Sequence, residues 1–261
     1  VSRAAFTRIR VVTLAERPDL AGAVRSLLAS IWPPEMEFIH HDPVCRRHWG
    51  LLYREFAEYQ PMLCDVRGRV VAAGFTIPLA WSGRRQDLPS GVDGALERGV
   101  RGRRRGRPPT ALSALLAAVL PTRQGAGLSA RLIRAMRAVA DRHGLDALIA
   151  PVRPTLKHRY PTTPMRHYVR WARADGAPFD PWLRVHWRLG AKVLRVAPRS
   201  MVVTGTVAEW EAWTRMTFPV SGRYIVRGAL EPVTIDRRRN RGRYVEPNVW
   251  MLHPVRTSRE T

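Results

Sequence analysis

The sequence predicts a mixed α/β (α+β) domain with a central sheet flanked by helices. Three patterns carry that prediction. Short runs rich in β-branched residues recur along the chain, and segments of helical periodicity separate them. The apolar run Ala111 to Leu120 then feeds a loop of small residues that opens an amphipathic helix. A chain of 261 residues can bury a full core, and 45% hydrophobic residues exclude a disordered chain.

The elements follow in order. Arg8 to Leu14 alternates and reads as a first strand. Asp19 is a candidate N-cap for a helix through Leu20, Val24, Leu27, Leu28 and Ile31, stopped by Trp32-Pro33-Pro34. Pro43 to Tyr59 carries Val44, Trp49, Leu52, Phe56 and Tyr59 at near-helical spacing, which predicts a second helix. Pro61 to Asp65, the turn Arg67-Gly68, and Val70 to Trp81 read as an antiparallel hairpin. Ser82 to Pro109 is an excursion rich in Gly, Pro and Arg, with a short helix expected near Asp93 to Glu97. After the strand Ala111 to Leu120, one face of a helix holds Leu128, Leu132, Met136 and Val139, and Gly144 ends it. Asp146 to Val152 is the next strand.

Residues 153–180 are dense in proline and aromatic residues, and Thr163-Pro164 reads as the cap and start of a short helix to about Ala174. A strand from Lys192 to about Thr204 follows Gly190. Thr206 and Glu209 form a capping box for a helix with Trp210 and Trp213, and Tyr224 to His253 suggests one or two further strands. With no repeat and no linker, the expectation is one domain over 1–261, with an insertion at 153–180 and a C-terminal β extension over 206–261.

Charge does not decide the function. The formal net charge is +23, almost all from arginine, since Lys157 and Lys192 are the only lysines. A GC-rich coding sequence explains that skew. Much of the excess falls in two runs, Arg98 to Arg107 and Arg237 to Arg243, which lack aromatics for base stacking and read as solvated loops. Nucleic acid is therefore not the expected partner. No apolar stretch reaches the length of a membrane span, and the early Arg3, Arg8 and Arg10 precede no apolar signal core. Cys45 and Cys64 are too few for a disulfide framework, so a reducing cytoplasm is the expected setting.

The loop Gln124-Gly125-Ala126-Gly127-Leu128-Ser129 carries the strongest chemical signal. At a helix start, backbone N–H groups lie at the positive end of the dipole, and small side chains let an anion approach them. The loop lacks the Gly-Lys-Ser/Thr ending of a P-loop and the three-glycine dinucleotide spacing. It resembles motif A of the GNAT acyltransferase superfamily, Gln/Arg-x-x-Gly-x-Gly/Ala after a strand. Gln124, Gly127 and Ser129 fall on those positions, with Ser129 in place of the usual Gly or Ala. The order of elements matches that fold too, a mixed, mostly antiparallel sheet.

The resemblance implies a pyrophosphate of acetyl-coenzyme A (or another acyl-coenzyme A) on Gln124, Gly125, Ala126, Gly127, Leu128 and Ser129. Its pantetheine would lie along the splayed strand at Ala118, Val119 and Leu120, with Arg123 and Arg131 flanking the phosphates. It further implies an N-acetyltransferase acting on a small-molecule amine. The insertion departs from a minimal member of that family; it reads either as a lid and acceptor pocket, with His158, Tyr160, Tyr168 and Trp182 as candidate residues, or as a peripheral decoration.

Leu183, Val185, His186, Leu189, Gly190 and Ala191 resemble the end of the fourth GNAT helix. There the family often uses a Tyr to protonate the departing thiolate, four residues before the Gly. Here that position is His186, the candidate catalytic residue, able to donate a proton as imidazolium or accept one when neutral. The run Asp180 to His186 also looks somewhat like GNAT-like loading domains of polyketide synthases, which implies an alternative: malonyl-coenzyme A decarboxylation and S-acyl transfer to an acyl carrier protein. A non-catalytic coenzyme- or nucleic-acid-binding relic is a third reading. Glu35, Glu37, Glu55 and Glu58 are possible bases. His40-His41-Asp42 and Cys45-x-x-His48 lack the matching second half of a metal site, so no metal is expected.

Overall fold

The computed structural model describes residues 9–255. Arg3, Arg8 and the last six residues of the expected extension lie outside the described residues. The chain runs β1 (Arg10–Thr13), α1 (Ala21–Ile31), α2 (Pro43–Leu52), β2 (Pro61–Cys64), β3 (Val70–Leu79), α3 (Val92–Arg104), β4 (Ala111–Val119) and α4 (Leu128–Arg142). It continues with β5 (Ala147–Val152), α5 (Met165–Tyr168), α6 (Pro181–Arg188), β6 (Lys192–Gly205), α7 (Val207–Thr214), β7 (Gly222–Tyr224), β8 (Val233–Asp236) and β9 (Arg241–Pro254).

The strands form one sheet in the order β1-β2-β3-β4-β5-β9-β8-β7, with β6 also paired to β9. Every pairing is antiparallel except β4 with β5. β3 is buried along its whole length, because helices cover both faces of the sheet. α4 packs there with Leu128, Leu132, Ile133, Met136, Val139 and Ala140, each large side chain contributing about 1.5–3 kcal/mol by burial. Gly74 permits that approach: a Cβ on it would sit 2.5 Å from the Met136 methyl. The C-terminal β extension is present, and its last strand is interior. β9 lies between β5 and β6, completing the core of the sheet.

Several local expectations need correction. Asp19 caps nothing; Pro18–Leu20 is a 3-10 turn, and Arg17 binds the Asp19 carboxylate instead. The second helix stops at Leu52 rather than Tyr59. The Leu51 carbonyl accepts from Arg54, Glu55 and Phe56, which curls the chain away, and Phe56 and Tyr59 still reach the core from the following turns. α3 spans thirteen residues, so the basic run from Arg98 is mainly the outer face of a helix. Val92, Ala95, Leu96, Gly99 and Val100 form its buried face, a helical spacing that the surrounding Gly and Arg obscured. Of the second basic run, Arg241 to Arg243 already belong to β9, after a turn with Asn240 left-handed at φ 47°. Thr163 makes no cap, Pro164 is extended, and the helix after it ends at Tyr168 rather than Ala174. The Thr206–Glu209 capping box forms as expected.

Candidate active site

A cleft opens where β4 and β5 part. They pair only through Ala111–Ser113 and Ala147–Ile149, then diverge. On the other edge of β4, Phe75 faces Leu116 while Thr76 faces Ala114, so Leu115 is an extra, bulged residue. A cavity of about 1140 Å³ occupies the opening, walled by Ala114 to Ala117 and Val119 on one side and Ala150 to Arg153 on the other. Backbone N–H groups of β4 beyond Ser113 are thus unpaired with β5 and border the cavity.

At one end lies the small-residue loop. Gly125 (φ 80°) and Gly127 (φ 72°) adopt left-handed backbone, which L side chains resist by roughly 1–2 kcal/mol. Nothing lies within 4 Å of a Cβ built on either, so the loop leaves open space above its backbone. Gly127 is the N-cap of α4 and supplies no capping side chain, leaving first-turn N–H groups for a ligand. These features fit a pyrophosphate. Arg123, Gln124, Gly125, Gly127, Leu128 and Ser129 line the main cavity. Ala126 instead lines a smaller cavity of about 240 Å³ on the outer side of the loop, with Arg67, Arg69, Arg123 and Arg131. Ala118 is buried away from the main cavity, and Leu120 N–H bonds the Val71 carbonyl. The strand segment along the cavity therefore lies mostly upstream of the one expected.

His186 is set by its helix. Asp180 caps α6 by accepting from Trp182 and Leu183 N–H, and its carboxylate also accepts from Leu156 N–H and the Tyr168 hydroxyl. His186 follows on the same helix. It is 3% exposed, borders the cavity, and meets the edge of the Trp182 ring at 4.6 Å. Its Nδ1 lies 2.9 Å from Nε2 of His253 on β9. The remaining ring nitrogens, His186 Nε2 and His253 Nδ1, have no hydrogen-bond partner among the described residues. Burial, then the neighbouring His253, pushes the His186 pKa down to about 3; burial, then Arg137, pushes His253 down to about 4. Both imidazoles are neutral at neutral pH. His186 is thus no imidazolium donor in the free enzyme, which corrects one of its two expected roles.

Three of the expected acceptor residues stand elsewhere. Tyr160 and Tyr168 pack with Trp171 and Phe179 in an aromatic cluster inside the insertion. His158 turns Nδ1 to the Thr155 carbonyl. The insertion closes on its own rings rather than over the cleft, and of the four only Trp182 borders the cavity. Glu35, Glu37 and Glu58 pair with Arg227, His41 and Arg103, and neither they nor Glu55 line the cavity.

The sequence reading missed the polar end of the cleft. Arg153, just past β5, directs Nε to both carboxylate oxygens of Glu246 (3.1 and 3.0 Å) and Nη2 to the Gly228 carbonyl (2.7 Å). Glu246 also accepts from the Tyr244 hydroxyl and the Asn248 amide. Tyr244, Glu246 and Asn248 alternate along β9, and that period-two polar pattern was the available signal. Trp32, Trp49 and Tyr53 from the α1–α2 region supply aromatic walls.

Behind Cys45, another wall residue, Asp42 and Asp93 come together. Asp42 caps α2 through Cys45 N–H (2.7 Å), and Val202 N–H faces both carboxyls. Burial, then Asp42, pushes Asp93 up to about 8, and burial raises Asp42. Of the weighed metal ligands, Asp42 and Cys45 do meet, and Asp93 brings all three ligand atoms within 4.8 Å. Burial pushes the Cys45 thiol well up, which disfavours the thiolate a metal would need.

No helix among the described residues is long and apolar enough to cross a membrane. No family model matches the chain. The arginine N-acetyltransferase avaD of Aspergillus versicolor is 34% identical over 274 residues, covering 93% of each protein. Among solved structures, the loading GNAT-like domain of CurA from Lyngbya majuscula superposes with a TM-score of 0.60 at 14% identity, over 95% of this chain and 98% of that one. The GphF GNAT-like decarboxylase, in complex with isobutyryl-CoA, gives 0.52 at 18% identity, over 95% and 100%. These two share the fold. By its identity to avaD over nearly its whole length, the chain belongs to the GNAT superfamily of acyl-coenzyme A-dependent N-acetyltransferases.

Proposed function

We propose that this enzyme moves the acetyl group of acetyl-coenzyme A to the amine of a small molecule of the arginine type. One observation carries the reading. A single cavity runs from the uncapped start of α4, past the opened strands, to His186 and the Arg153–Glu246 pair. Pyrophosphate fits the backbone of Gln124 to Ser129, with Arg123 and Arg131 beside it, and pantetheine fits between β4 and β5. The acceptor then approaches from the α1–α2 and β9 side. Its identity as an arginine-type amine is supported by the relative named for arginine.

The acceptor's uncharged amine attacks the thioester carbonyl carbon, and the C–S bond breaks as the amide C–N bond forms. The amine proton ends on the departing thiolate, so the step balances without a further reactant. N–H groups of β4 at the bulge stabilise the oxyanion, a contribution of about 2.7–4 kcal/mol where one donor has been removed in other enzymes. His186 serves as a neutral hydrogen-bonding group beside the reacting atoms.

Calorimetry with acetyl-coenzyme A tests the cofactor half. Binding to the wild type, weakened at least about tenfold in Gly127→Val, is expected, because the side chain both strains the left-handed backbone and fills the phosphate space. Absence of binding to the wild type overturns the reading. Incubation with malonyl-coenzyme A separates it from the decarboxylase alternative, for which release of carbon dioxide would speak.

A further inference from the structure

We propose that Arg153 binds a carboxylate of the acceptor, so that the preferred acceptor is an amino acid rather than a simple amine; the proposal rests on the amine-acceptor reading above. Arg153 stands at the polar end of the cavity, beyond the last residue of β5. Its guanidinium is fixed from three sides. Nε bonds both Glu246 oxygens, Nη2 bonds the Gly228 carbonyl, and the Trp32 ring lies 5.9 Å from Cζ.

The two partners differ in what they can still do. Glu246 is 1% exposed, and Tyr244 and Asn248 occupy its oxygens as well, so it holds Arg153 and has little capacity for a ligand. The Arg153 side chain is 22% exposed, and its hydrogen bonds run through Nε and Nη2. The Tyr244 side chain stands against the guanidinium as well, and among the described residues Nη1 takes part in none of the bonds to Glu246 and Gly228, so Nη1 is the nitrogen a ligand carboxylate would meet. An ion pair that served packing alone would gain nothing from presenting one member to a cavity wall. A guanidinium is charged at every working pH, and its planar fork matches a carboxylate. Held in place beforehand, it loses little side-chain entropy on binding. Arg25 and Arg46 also border the cavity; Arg25 lies over the Tyr53 ring and Arg46 feels the Glu209 carboxylate only at longer range, so neither is held by a close carboxylate as Arg153 is.

The test uses the full-length enzyme, acetyl-coenzyme A and three acceptors: L-arginine, L-arginine amide and agmatine. The last two lack the carboxylate. Amidation lowers the basicity of the neighbouring amine and decarboxylation raises it, so a loss shared by both cannot come from basicity. The wild type should favour arginine over each by roughly ten- to a hundredfold in kcat/KM, mostly through KM. Arg153→Lys keeps the charge but loses the fork, and should narrow that preference to a few-fold. The wild-type series stands alone if the variant does not fold. Equal use of arginine and agmatine by the wild type overturns the proposal and leaves the amine reading intact. Transfer to none of the three overturns the arginine-type reading and the proposal with it.

Discussion

His186 and His253 face each other nitrogen to nitrogen, 2.9 Å apart, and each keeps its other ring nitrogen unpartnered among the described residues. Since both are neutral, one N–H must lie between them. If His253 donates, the leftover N–H is on His186 Nε2, itself buried but on a residue that borders the cavity. If His186 donates, the leftover N–H is on His253 Nδ1, fully buried within the protein. Both leftover nitrogens are buried, and of the two residues only His186 borders the cavity, where a bound ligand can accept its N–H; the expected arrangement is therefore that His253 donates and His186 offers Nε2–H to the ligand. NMR of 15N-histidine-labelled enzyme should show a protonated Nε2 and bare Nδ1 on His186. The reverse pattern contradicts the assignment.

The pH profile follows from the same pair. With pKa values near 3 and 4, neither histidine titrates between pH 5 and 8. A limb of kcat/KM in that range therefore comes from neither histidine and persists in His186→Gln, whose amide also offers an N–H. A limb near 6.5 that vanishes in His186→Gln would contradict a neutral His186.

His186→Ala removes the donor altogether. A fall in kcat of about 10²–10³, with the acetyl-coenzyme A dissociation constant little changed, is expected by analogy with loss of one oxyanion donor. Unchanged kcat removes His186 from the reaction.

The Asp42–Asp93 pair makes a stability prediction of definite sign. Asp93 has a folded pKa of about 8, above its ordinary 3.8. The stability of its protonated form is full below about 3.8 and is lost as pH rises through 8. Asp93→Asn stays neutral throughout and can donate its amide to Asp42. Its melting temperature should therefore gain on the wild type as pH rises from 4 to 8. A variant less stable than wild type at pH 8 would show that the carboxylate is needed there.

Tyr168 separates packing from acceptor binding. Its hydroxyl bonds Asp180, the cap of the helix that carries His186. Tyr168→Phe should destabilise by about 1 kcal/mol and leave the acceptor KM unchanged. A large KM change would return Tyr168 to the acceptor site.

The loop and its helix were legible in the sequence because both depend on local rules. Positive-φ glycines, an uncapped start and a 3.6-residue apolar stripe lie within some twenty residues. The central strands and the Thr206 cap were legible for the same reason. The polar end of the cleft was not, because Arg153 and Glu246 meet only through the pairing of β5 with β9. His253 was hidden likewise: nothing local marks a histidine on the last strand as the partner of one on α6. Tyr160 and Tyr168 misled for the opposite reason, since an aromatic-rich insertion reads alike whether it lines a pocket or fills its own small core.

The most direct test of the central claim is a turnover measurement: acetyl-coenzyme A and L-arginine with the purified enzyme, following free thiol and the product mass together. The account predicts one equivalent of thiol per N-acetylated arginine, the acetyl on the amine nitrogen. Thiol release without an acetylated amine, or no thiol release above the uncatalysed rate, would contradict it.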